Sequence, residues 1–170
     1  RALERIDYIP GRLEVIQQEP FGVVVDYAHT PDALTRVYET LAAPRLICVL
    51  GSAGGGRDAW KRPEMGRIAA SYCNVVILTD EDPYDEEPEH IIRDIEKGLF
   101  RAGKERLDYR KISDRRLAIP AALSSAKKGD VVVITGKGCE PWMMGPGGEK
   151  MPWDDRNVAR EELERVRSSL

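Results

Sequence analysis

The stretch Gly22-Val23-Val24-Val25-Asp26-Tyr27-Ala28-His29-Thr30-Pro31-Asp32-Ala33-Leu34 decides the fold class. Three consecutive valines with no period-two alternation read as a short strand covered on both faces. Polar residues follow at once, and Pro31 suits the first turn of a helix, where its missing amide donor costs nothing. The unit is strand, polar turn, helix, and it recurs along the chain. Leu46-Ile47-Cys48-Val49-Leu50, Val75-Val76-Ile77-Leu78 and Val131-Val132-Val133-Ile134 are three further apolar runs of strand length. Helix-like patterns occupy residues 31–41, 62–72, 88–100 and 114–126. This alternation predicts an α/β domain with a mostly parallel sheet and helices on both faces. The Gly- and Pro-rich residues 141–152 read as a hairpin or loop, and 154–168 as a charged terminal helix. With no internal repeat and no low-complexity linker, residues 1–170 read as a single domain.

Composition narrows the class. Of 170 residues, 42% are hydrophobic and 32% charged, the profile of a soluble globular domain rather than a disordered or fibrous one. A net charge of −3 offers no bulk attraction to nucleic acid or to an anionic membrane. No apolar run approaches the roughly 20 residues that span a bilayer. The chain opens Arg1-Ala2-Leu3-Glu4-Arg5, without methionine or signal peptide, which suggests a fragment of something longer. Cys48 and Cys73 sit in apolar runs and are expected to be plain buried thiols, with a reducing cytoplasm the simplest setting. No cysteine spacing suits a metal.

In sheets of this kind ligands collect outside the carboxyl ends of the strands. Four polar or glycine-rich loops begin there, at Asp26, Gly51, Thr79 and Thr135, and should converge on one edge. Gly51 to Gly56 could turn backbone amides toward an anion, and Arg57 beside them suits a carboxylate or phosphate. Asp80-Glu81-Asp82 lies directly off a strand and could receive an ammonium group. Asp85-Glu86-Glu87 reads instead as a solvated helix entry, since acids favour the first turn. Gly136-Lys137-Gly138 resembles half a P-loop but lacks the following Ser or Thr, so no ATP-hydrolysing loop of that type is present. Cys139 as a thiol nucleophile with His29 as base is the weaker idea, because nothing in the sequence brings the two together.

Together these loops resemble the carboxy-terminal domain of the Mur ligase family, most closely its UDP-MurNAc-tripeptide synthetases. Asp26 to Leu34 resembles the family's strand-end segment, and Pro10-Gly11-Arg12-Leu13-Glu14 its domain entrance. Gly56-Arg57-Asp58, Lys61-Arg62-Pro63 with Met65-Gly66, Gly136-Lys137-Gly138 with Glu140, and Asp154-Asp155-Arg156 follow in the family's order. The resemblance implies a Rossmann-like third domain that closes over an ATP-dependent ligase, with residues 1–9 the remnant of a link from a central P-loop domain. It places Arg12, Asp26 and His29 on the nucleotide, and Arg57, Glu81, Asp82, Tyr84, Gly136 and Glu140 on the incoming amino acid. The magnesium ligands, the P-loop and a carbamylated lysine would belong to the central domain, so no catalytic or metal residue is expected here. The substrates implied are ATP, UDP-MurNAc-dipeptide and an amino acid, in the cytoplasm.

Two positions depart from the family. Diaminopimelate-adding members carry Asp-Asn-Pro-Arg where this chain has Glu81-Asp82-Pro83-Tyr84. Tyrosine cannot supply that arginine's charge, so lysine or ornithine is expected in preference to meso-diaminopimelate. Cys139 stands where the family has histidine. Related ligases of the cyanophycin or folylpolyglutamate type, or a stand-alone nucleotide-binding module without catalysis, are the competing readings.

Overall fold

The structure, a computed structural model, describes residues 9–41, 43–56, 58–103 and 107–168. Arg57, and residues 1–8 of the expected link, lie outside the described residues. The chain runs β1 (Glu14–Gln17), β2 (Gly22–Asp26), α1 (Pro31–Thr40), β3 (Leu46–Leu50), α2 (Lys61–Tyr72), β4 (Val75–Leu78) and α3 (Pro88–Arg101). It continues through β5 (Asp108–Lys111), α4 (Arg115–Ser125), β6 (Val131–Thr135), a hairpin of β7 (Trp142–Met144) and β8 (Lys150–Pro152), and α5 (Asp155–Ser168). Six strands form one sheet in the order β1-β2-β6-β3-β4-β5. All pairs are parallel except β1 with β2.

The alternating sides of the unalternating strands account for the layers. Cys48, Leu50, Val76, Leu78 and Val133 face one core, filled by α1, α2 and α3. Ile47, Val49, Ile77, Val132 and Ile134 face the other, filled by α4 and α5. Both faces are apolar because both are covered. Helices α2 and α3 meet at glycines: a Cβ on Gly66 would run into the Ile95 carbonyl, and one on Gly98 into that of Pro63.

The four core strands and five helices stand where the sequence predicts them. The edge strands β1 and β5 were not predicted. Edge strands need no double-sided apolar run, and Asp108-Tyr109-Arg110-Lys111 is largely exposed, so neither carries the pattern that marks a core strand. No helix among the described residues is long and apolar enough to cross a membrane.

The cysteine expectation is corrected: Cys48 and Cys73 form a disulfide. Cys48 points from the middle of β3 and Cys73 follows α2, both into the same core, with Cα atoms 6.2 Å apart. A separation of 25 residues conceals this in the sequence, because only the βαβ crossover brings the two together. Under denaturing, non-reducing conditions one thiol per chain, Cys139, should react with a maleimide, rising to three after reduction. Three reactive thiols before reduction would contradict the bridge.

Candidate functional site

Turn chemistry places the first loop. Thr30 caps α1 by accepting the Ala33 amide, with Pro31 opening the helix as expected. Asp26 at the end of β2 is buried, and its two carboxylate oxygens accept the amides of Leu13 and Ala28, each at 2.7 Å. It therefore braces the turn that carries Arg12. The Arg12 guanidinium lies 4.5 Å from the centre of the Tyr27 ring, and the His29 ring meets Tyr27 edge-on at 4.7 Å. Arg12, Tyr27 and His29 form one stack on this lip of the site.

The loops after β4 and β6 build the opposite lip. Lys137 is 1% exposed, and its ammonium donates to both oxygens of Asp82 at 2.9 and 2.8 Å and to Glu140 at 2.6 Å. The other Glu140 oxygen accepts the Tyr27 hydroxyl at 2.7 Å. Asp82 also accepts the Met144 amide of the hairpin at 2.8 Å. Burial works against the charges of Lys137 and Glu140. For Lys137 the hydrogen bonds to Asp82 and Glu140 outweigh it, and for Glu140 those from Lys137 and Tyr27, so the Lys137 pKa lies above the usual lysine value and that of Glu140 below the usual glutamate value. The Tyr27 phenol, donating to Glu140, is pushed up to about 12.

Glu81 is different. It is 4% exposed, its Oε2 has no hydrogen-bond partner among the described residues, and burial raises its pKa to about 7. Room for it comes from Gly136, at φ +113°, where any Cβ would collide with the Glu81 carboxylate. Asp80 beside it, also pushed up by burial, reaches about 6.

Residues from all four strand-end loops, among them His29, Gly54, Glu81, Tyr84, Gly136 and Glu140, line one cleft of about 360 Å³. That convergence was expected from the sequence, and of the proposed amino-acid residues only Arg57 lies outside the description. Three details differ. Two amides of the glycine-rich turn are already engaged within the domain: Gly54 donates to the Asp82 carbonyl at 2.7 Å and Gly56 to Glu86 at 3.4 Å. The second acidic run is not merely solvated. Glu86 grips the buried Arg62 with both oxygens at 2.6 and 2.8 Å, and Asp85 accepts the Gly147 amide. Cys139 is exposed and free, while the described ring bond of His29 runs from Nδ1 to the Tyr27 carbonyl, so nothing pairs the two.

Three structural residues were given no role by the sequence reading. Arg115 and Asp155 form a fully buried pair with both bonds at 2.8 Å, and Arg115 also donates to the carbonyls of Asp80, two residues past β4, and of Thr135, the last residue of β6. Lys137 appeared in an incomplete P-loop and in the family's Gly-Lys-Gly run, with no partner assigned to it. Its i,i+3 spacing to Glu140 was the available signal.

Residues 11–138 match the family described as Mur ligase, glutamate ligase domain, and the chain belongs to that family. It is 45% identical over 166 residues to the UDP-N-acetylmuramoyl-L-alanyl-D-glutamate–2,6-diaminopimelate ligase of Aquifex aeolicus, covering 96% of this chain and 33% of that protein. The ligase of the same name from Clostridioides difficile is 44% identical over 162 residues, 93% of this chain and 32% of the relative. A solved structure of such a ligase superposes with a TM-score of 0.84 at 37% identity, over 96% of this chain and 33% of that one. The chain thus spans about a third of the length of the relatives it matches. A pseudomurein peptide ligase from Methanothermus fervidus, at 18% identity and a TM-score of 0.64, shares the fold.

The expected preference for lysine or ornithine is not supported. The similar ligases are named for diaminopimelate. The charge assigned to Asp82 is spent on Lys137, and burial holds Glu81 partly neutral near pH 7, so the loop is far less anionic than its sequence suggests.

Proposed function

We propose that this chain is the closing domain of an ATP-dependent amide ligase that adds the third amino acid to UDP-MurNAc-dipeptide. The supporting observation is that the four family loops meet in one cleft, with a cation–aromatic stack on one lip and buried carboxylates on the other. In this reading Arg12 and His29 face the nucleotide, with Asp26 holding the Arg12 turn. Arg57, Glu81, Asp82, Tyr84, Gly136 and Glu140 surround the amino acid. ATP and Mg2+ are held mainly by a central domain, which residues 1–9 join to this one, and would activate the dipeptide carboxylate as an acyl phosphate. This domain would orient the amine that attacks it and exclude water. A UDP-linked substrate and ATP suit a cytoplasmic reaction.

The test measures phosphate release from ATP with UDP-MurNAc-dipeptide and, in parallel, meso-diaminopimelate, lysine or ornithine. The full-length ligase should turn over with one of them, while the 170-residue chain alone stays at the buffer rate. Turnover by the isolated chain, or none by the full-length protein with any third amino acid, would overturn the reading.

A further inference from the structure

We propose that Lys137 is a positioning residue: its ammonium fixes Asp82 and Glu140 of the amino-acid lip to Tyr27 on the nucleotide lip, so that the Tyr27 hydroxyl sets amino-acid affinity through Glu140. The inference rests on the ligase reading above. An ammonium has three N–H donors and no acceptor. Here the three are directed at Asp82 Oδ1, Asp82 Oδ2 and Glu140 Oε2. No donor remains for a phosphate or a substrate carboxylate, so the lysine of this glycine-flanked loop acts on other side chains and not on a ligand.

What it holds spans the cleft. On one side Asp82 continues to the Met144 amide, and the Met144 carbonyl accepts the Tyr84 amide at 3.1 Å, which ties the hairpin to the β4 loop. On the other side Glu140 continues to the Tyr27 hydroxyl, and the Tyr27 ring is stacked by Arg12 and His29. The Glu140 side chain is 39% exposed and borders the cleft, so Lys137 and Tyr27, each holding one of its oxygens, fix its rotamer. Losing either contact frees a carboxylate that the amino acid would then have to order on binding.

Tyr27→Phe in the full-length ligase removes one hydroxyl and leaves the ring stack, so the fold should persist. The amino acid must then re-order the Glu140 side chain on binding, and its KM should rise about five- to ten-fold while the ATP KM stays within about two-fold. In a Glu140→Gln background the same change should shrink below about two-fold. An ATP KM that rises instead, or an unchanged amino-acid KM, overturns the proposal. A second readout needs no substrate. The buried ammonium, protected by its carboxylates, should give a slowly exchanging 15N-lysine signal, assigned by its loss in Lys137→Arg, and Tyr27→Phe should shift it. A wild-type enzyme inactive with every third amino acid would refute the ligase reading. An unmoved Lys137 signal would refute the relay whatever the activity.

Discussion

Replacing Arg115 with methionine should lower the stability of the domain by about 3–5 kcal/mol, because it strands a buried carboxylate. Arg115 and Asp155 are both wholly buried, where α4 packs against α5. Removing the guanidinium leaves Asp155 charged in the core, with only the Trp153 indole N–H, at 2.8 Å, as a described hydrogen-bond partner. It also strips the Asp80 and Thr135 carbonyls of a donor. For a domain of this size the melting temperature should fall by roughly 6–20 °C. Arg115→Met with Asp155→Leu should recover much of the loss, since no orphan charge remains. A fall of less than about 3 °C in the single variant would show that the pair is not a structural tie. The effect should reach the cleft as well. The Thr135 carbonyl ends β6 and the Asp80 carbonyl lies two residues past β4, in the loops that carry Lys137 and Glu81, so the Lys137 signal should broaden in the same variant.

Glu81→Gln should remove a pH dependence of stability of similar size. In the folded chain burial raises the Glu81 pKa to about 7 from an ordinary 4.5, while Arg115, Lys137 and Lys61 pull it down and Asp82 pushes it up. An acid whose pKa is raised by folding binds its proton more tightly in the native state. Its contribution is then fully present below pH 4.5, falls as pH rises between 4.5 and about 7, and is lost above that. At about 1.36 kcal/mol per pH unit, the loss across that window is on the order of 3 kcal/mol. The neutral glutamine has no such loss, so the variant should gain on the wild type from pH 5 to pH 7 and hold a constant margin above pH 8. Urea unfolding at four pH values measures this, with Asp80 titrating in both proteins and cancelling in the difference. A margin constant within about 0.5 kcal/mol across the whole range would mean that Glu81 ionises normally. A buried carboxylate oxygen without a hydrogen-bond partner is costly to the fold.

The unalternating apolar runs determined the layered α/β fold by themselves, because a strand with valine, isoleucine or leucine on both faces is stable only between two layers of helices. The residues directly behind those runs likewise marked the cleft, since parallel strands bring their carboxyl ends to one edge. Pro31 announced the first helix locally, because its missing amide donor costs nothing in the first turn. Tertiary structure decided the rest. Whether Asp82 is a free charge depends on Lys137, 55 residues away, and whether Glu81 is ionised depends on the solvent that packing around Gly136 excludes. The disulfide follows from a crossover that sets Cys73 beside the middle of β3, and the Arg115–Asp155 pair from the docking of the last helix. Charge state and partner choice depend on distance and dielectric, quantities that exist only once the chain has folded.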